Sequence, residues 1–274
     1  MSDEIRNGAS PPPPSPPEYL TVTSGLPRVN AVGMDAPWRW LRMGWACFRR
    51  STGASLFYGL VLAIMGAVLT QTTGTGAVQL AFLTGFLLMG PFMLMGLYDT
   101  SRRLQNGQRA LLADTMTAWK ANVPAIGFYA LLLALLLAVW VRISVVVVAL
   151  FFPEGVKTGE ELAKAALESP DVIGFGLAYL AAGFGFALFV FATSVVSLPM
   201  LLDRPKMDAL SAMITSFNAL RINFAPMLLW AAIIVVLVGL GFATFYAGLL
   251  IVLPVIGFAT WHAYRDVIAP PEPA

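Results

Sequence analysis

The chain has 274 residues, 58% of them hydrophobic and 12% charged, with a mean hydropathy of +0.76. Soluble domains carry about 25% charged residues, so roughly half the usual solvating charge is missing. A net charge of +2 excludes the one-signed field of a nucleic-acid binder. One cysteine, Cys47, and one histidine, His262, exclude an intramolecular disulfide, a cysteine-based metal centre, di-histidine haem ligation and HExxH zinc chemistry.

Residues 1–34 hold the run PPPPSPPEY and too little apolar surface to fold, and are expected to be a disordered, Pro-rich cytoplasmic tail. Pro16-Pro17-Glu18-Tyr19 matches the short pattern that WW domains bind, a motif of low specificity. Residues 35–267 form a membrane domain and 268–274 a disordered C-terminal tail. A span takes ~20 apolar residues. Six segments qualify: 54–71, 78–99, 124–151, 172–202, 224–243 and 247–264.

A stretch with helical periodicity precedes each odd-numbered span. Trp38, Leu41, Trp45 and Phe48 line the first, with Asp35 placed to cap it and Pro37 in its first turn. Leu112, Met116 and Trp119 line the second; Met207, Leu210, Ile214 and Phe217 line the third. Such stripes beside bases and tryptophans describe helices lying in the membrane interface. Ser51, Asn122 and Asn223 stand where each following span opens, as caps. Pro91, Pro199 and Pro254 lie in the even-numbered spans, each followed by an Asp at the helix end. The fold class is thus all-α: six transmembrane helices as three hairpins, each led by an amphipathic interfacial helix, in a pseudo three-fold repeat. Gly174, Ala178 and Ala182, spaced by four, predict close helix packing in the fourth span.

Lys and Arg fix the orientation. The N-terminal arm holds Arg6, Arg28, Arg39, Arg42, Arg49 and Arg50; the loops on the same side hold Arg102, Arg103, Arg109, Lys120, Arg204, Lys206 and Arg221, and Arg265 follows the last span. The opposite side has only Lys157 and Lys164. Both termini are therefore expected in the cytoplasm. Between Pro153 and Asp171, Thr158-Gly-Glu-Glu161 reads as a capping box opening a short external helix that Ser169-Pro170 ends.

The strings Gly85-Phe-Leu-Leu-Met-Gly90-Pro91, Gly96-Leu-Tyr98-Asp99-Thr-Ser101-Arg102-Arg103, Ser197-Leu-Pro199-Met-Leu-Leu-Asp203-Arg204 and Trp261-His262-Ala-Tyr264-Arg265-Asp266 resemble those of a bacterial family of predicted integral membrane proteins, domain of unknown function 2189. The resemblance extends over about residues 38–267. It implies a multi-pass protein of the bacterial inner membrane and supplies no activity.

The candidate site is a polar cluster at the cytoplasmic helix ends: Asp99, Arg102, Arg103, Asp203, Arg204, His262, Tyr264, Arg265 and Asp266. Bidentate Arg–carboxylate geometry there could form a pocket for an anionic head group or small polar ligand. The same residues could simply anchor the helix ends and lock the repeats together. His262 is either a proton carrier or pH sensor, or a hydrogen-bonding partner for a helix end. Arg142 is the one charge well inside a span, placed near its outer boundary beside Trp140 of an aromatic belt, to snorkel or to pair with an acid such as Asp171. Met89, Met93, Met95 and Met200 read as apolar filler rather than copper ligands. No phosphate loop, GxSxG elbow or metal-spaced Cys/His cluster occurs, so no catalytic residues and no cofactor are expected. The expected role is a non-enzymatic scaffold or accessory component. Its partners would be membrane lipids and another membrane protein or a second copy, not nucleic acid. An uncoupled permease or channel for a small solute is the alternative.

Overall fold

A computed structural model describes residues 26–71, 94–156 and 158–270. The expected span over 78–99, with Pro91, Met89 and Met93, lies mostly outside the described residues. Those residues form α1 (Ala36–Arg50), α2 (Thr52–Gln71), α3 (Met95–Gln105), α4 (Leu112–Thr115), α5 (Val123–Phe151), α6 (Gly159–Glu168), α7 (Val172–Ser194), α8 (Ser197–Asp203), α9 (Ala209–Ile222), α10 (Phe224–Ala243) and α11 (Leu249–Val267). A 3-10 turn, Ala118–Asn122, leads into α5. The chain is all-helical among the described residues, apart from one bridge between Val29 and Ile268.

Three stretches are long and apolar enough to cross a membrane: Leu112–Phe151, Val172–Asp203 and Phe224–Ala243. Their outer faces are apolar and unpacked, as at Leu131, Leu150, Leu180, Phe184, Val236 and Leu240. Contiguous apolar surface of this extent needs a hydrocarbon solvent rather than water. α2 is apolar over Thr52–Ala67. α11 differs from all of these. It is buried on every side from Leu253 to Tyr264, with α1, α2, α3 and α10 packed around it. A helix enclosed by protein can carry His262, Arg265 and Asp266 in its last turns without facing lipid.

Packing rests on glycines other than those expected. A Cβ on Gly44 of α1 would lie 2.6 Å from the Val255 carbonyl oxygen and 2.8 Å from the Ala259 nitrogen, both backbone atoms of α11. One on Gly59 of α2 would collide with the Leu250 carbonyl. In α7 Gly176 and Gly185 face open space, Gly174 abuts only the carboxylate of Asp171, and a Cβ on Gly183 would stand in ordinary contact with the Trp140 ring at 3.4 Å. α5 and α7 instead meet through rings: Trp140 is 1% exposed and packs edge-on against Tyr179, with centroids 5.6 Å apart. Trp140 is therefore core, not part of an aromatic belt. A neighbouring Arg142 is exposed and makes no ion pair among the described residues. Asp171, its suggested partner, accepts from the Gly174 amide at 3.1 Å and caps α7.

The stripe expected to pack α1 is partly its free face. Trp38 and Trp45 are exposed, while Ala36, Trp40, Gly44, Cys47 and Phe48 are buried against the bundle. Residues 26–34 are not the disordered segment expected of them. They run alongside the end of α11, where the Asn30 amide donates to the Val267 carbonyl at 2.7 Å and the Ala269 amide to the Arg28 carbonyl at 3.0 Å. Ile268 and Ala269, expected in the C-terminal tail, are held by the same bonds.

Candidate functional site

The three aspartates sit at three separate nodes. Asp99, 1% exposed, accepts from Arg102 Nη2 at 2.6 Å and Arg103 Nε at 2.8 Å, three and four residues on in its own helix. Arg102 also donates to the Leu202 carbonyl at 2.9 Å, tying α3 to α8, and Arg103 reaches Asp114 at 3.4 Å. Its hydrogen bond to Asp99 raises the Arg103 pKa further above an already basic value. Asp203 Oδ2 accepts from the Tyr264 hydroxyl at 2.8 Å and from Arg265 at 3.0 Å, joining α8 to α11. Arg204 approaches the same hydroxyl and donates to the Ala269 carbonyl. Asp266 Oδ2 accepts from Arg39 Nη2 at 2.7 Å and Trp40 Nε1 at 2.8 Å, joining α11 to α1.

All the predicted cluster residues are thus at one end of the bundle, but they do not converge. No bond joins one of these aspartates to another among the described residues, and neither principal cavity is lined by any of the three. Asp203 and Asp266 are each engaged by donors from another helix, whereas Asp99 is engaged by two arginines of its own helix, one of which reaches across to α8. An unpaired buried charge is costly, which is why Asp99, 1% exposed, carries two guanidinium partners, while the Asp203 and Asp266 pairs stand partly in solvent.

Among the described residues His262 bonds no acid, but it does bond the side chain of Gln105, the last residue of α3. The imidazole Nε2 lies 3.3 Å from Cys47 Sγ and its Nδ1 3.0 Å from Gln105 Nε2, while Gln105 Oε1 accepts from Trp261 Nε1 at 2.8 Å. The indole fixes which end of the amide is which. Gln105 must then donate to Nδ1, so the ring proton sits on Nε2 and points at sulfur. A general base would need Nε2 free to take the thiol proton. The pair is held in the opposite tautomer, and burial pushes the Cys47 thiol up, so the thiolate is disfavoured. A cavity of about 170 Å³ adjoins it, lined by Met43, Arg50, Leu104 and Gln105 among others.

Sequence reasoning missed Cys47, Gln105, Trp261 and Trp40. Their partners are 156 to 226 residues away, and only the helical spacing of Trp40, Gly44 and Cys47 hinted at a shared face. The two junction asparagines expected to act as caps differ from each other. Asn122 does cap α5, through the Ala125 amide, and its Nδ2 donates to the Met207 carbonyl at 2.8 Å. Asn223 does not cap α10: its Oδ1 accepts from the Val32 amide at 2.7 Å, and its Nδ2 donates to the Asn30 carbonyl at 2.9 Å and to the Ala219 carbonyl of the preceding helix at 3.3 Å. Asp35 does not cap α1 either; its carboxylate pairs with Arg39.

Both chemistry and packing thus describe helices bound together within a hydrocarbon solvent. Residues 79–203 match DUF2189, described as a predicted integral membrane protein. The DUF2189 region takes in the Asp99 node and ends on Asp203, so two of the three nodes begin inside it and are completed by α8 or α11. No curated protein and no solved structure matches the chain.

Proposed function

We propose that the protein is a non-enzymatic scaffold of the inner membrane, with six spans in three hairpins and both termini cytoplasmic. It holds lipids and another membrane protein, or a second copy of itself, around a rigid centre. The carrying observation is that all three cluster aspartates are already engaged: Asp203 and Asp266 between helices, and Asp99 by two arginines of its own helix, one of which ties that helix to α8. The three-unit reading draws support from the two junction asparagines. Asn122 holds the backbone leading into α9, and Asn223 holds the backbone leading into α1. The same residue type at the same place grips the start of the next amphipathic helix. The excess of Lys and Arg on that side supports a cytoplasmic node end.

The alternative, uncoupled passage of a small solute, needs an open polar path. Phe258, Trp261 and Tyr264 of α11, each at most 1% exposed, fill the region where the helices meet. That favours the scaffold. Purification from native membranes into lipid discs, with mass spectrometry of what co-purifies, tests the proposal; a stoichiometric membrane-protein partner or a second copy is expected. Solute flux through proteoliposomes, abolished by Asp99→Asn in folded protein, would overturn it.

A further inference from the structure

A second cavity of about 440 Å³ lies between α7, α10 and α11, remote from the polar nodes' own bonds. Its size falls in the range of small-ligand sites, which run from about 300 to 1,000 Å³. Among the described residues its wall carries no charged side chain, and its only hydroxyls are Tyr98, Ser194 and Thr260. These three are not scattered. Tyr98 adjoins Asp99, Ser194 lies one helical break before Asp203, and Thr260 is in the last half of α11, so all three mark the end of the cavity nearest the nodes. The wall deepens into Phe184, ten residues before Ser194 and therefore ~15 Å farther into the apolar zone. Ser194 is 1% exposed, and its Oγ makes no well-formed hydrogen bond among the described residues. The nearby Tyr129 hydroxyl gives its own proton to the Thr193 carbonyl at 2.9 Å, so toward Ser194 it can act only as an acceptor and no donor reaches the Ser194 oxygen. On the outer side, Phe184, Val235 and Val236 are all more than half exposed, which leaves a lateral way in from the hydrocarbon.

We propose that this cavity binds one uncharged, long-chain amphiphile that enters sideways from the bilayer. Its hydroxyl or carbonyl end meets Ser194 and its chain runs toward Phe184. This deepens the lipid-binding part of the proposed function and rests on α7 and α10 standing in lipid. The chemistry is shared by diacylglycerols and isoprenoid quinones, whereas carboxylate and phosphate ends find no cation on the wall. A buried hydroxyl without a partner costs free energy that an incoming carbonyl or hydroxyl recovers.

The full chain in phosphatidylcholine nanodiscs is titrated with dioleoylglycerol and, separately, with an isoprenoid quinone; oleate and phosphatidic acid are the charged comparators. Native mass spectrometry reads retention. One neutral probe is expected to be retained at one per chain, and which one identifies the source. Ser194→Ala should weaken it about 5-fold, the loss of one hydrogen bond. Ala231→Trp should abolish retention by filling the wall, and Ala187→Phe, on the facing helix, repeats the test if the first variant does not fold. Retention of neither neutral probe overturns the proposal, as does equal retention of the charged comparators or undiminished retention in the folded filled variants. Reporter fusions in the 106–111 and 204–208 loops check bilayer placement separately, so a failure there is told apart from an empty cavity.

Discussion

Around α11, helices approach backbone to backbone; between α5 and α7 they are held apart by aromatic rings. Gly44 and Gly59 bring α1 and α2 against the carbonyls of Val255 and Leu250, whereas Trp140, Tyr179 and Phe186 fill the space between α5 and α7. Lipid tails supply no hydrophobic push between helices, so close contact and hydrogen bonds must hold them. The first region uses contact so tight that one methyl group is too many. The second uses bulk: Gly127, Gly176 and Gly185 face open space, and a Cβ on Gly183 would meet only the Trp140 ring, at an ordinary 3.4 Å. The polar groups follow the same division: Cys47, His262, Gln105 and Asp266 knit the α11 side, while the α5–α7 pair has few such links, among them Ser144 to Tyr179 at 3.3 Å.

Substitutions break or sharpen that contrast. Gly59→Ala or Gly44→Ala should cost about 3 kcal/mol of stability in detergent, because rigid backbone must move to admit the methyl. Gly185→Ala, facing open space, should be neutral or stabilise by about 0.5 kcal/mol through helix propensity. Equal melting temperatures for Gly59→Ala and Gly185→Ala would erase the distinction. Asp99→Asn comes next, at about 3 kcal/mol or slightly less, since it strands two guanidinium groups against a site 1% exposed. Asp203→Asn, whose Arg265 partner is 40% exposed, should cost only about 1 kcal/mol.

Asn223→Ala removes the grip on residues 30–32. Its expected effect is local, about 1–2 kcal/mol, read as a rise of about 5- to 30-fold in hydrogen exchange at the Val32 amide with α11 unaffected. The smallest effect is at Asp208, whose side chain caps α9 through the Ser211 amide at 2.8 Å. That donation holds its carboxyl below the usual carboxylate range. The capping contribution is therefore complete above pH ~4 and fades as pH falls through the lowered native value. Asp208→Ala should cost about 1 kcal/mol near neutrality, and the gap from the parent should close in acid melts.

Much of this was legible beforehand. Apolar runs over 124–151 and 224–243 specify α5 and α10 because backbone in oil has few choices but helix. The acids and bases of the cluster were identifiable for a similar reason: charges in so apolar a chain are conspicuous. Which acid takes which base was not, because Asp266 with Arg39 spans 227 residues and depends on how α1 lies on α11. Asn223 misled because asparagine before a helix is usually a cap, and only the path of residues 26–34 reveals its other use. Trp38 and Trp40 are both aromatic on one helix, and nothing in their spacing tells which faces protein until α11 is in place.

Finally, the antiparallel bridge between Val29 and Ile268 brings the two ends of the described chain within a backbone hydrogen bond of each other. Topologically the protein behaves as a closed loop that happens to be cut at one point. A circularly permuted version, with 28 and 269 joined by a short linker and new ends opened at Gly107, would keep every helix-to-helix bond described above. The same adjacency sets Arg28 and Ala269 side by side, so that anything joined to the chain at either point is delivered to a single address.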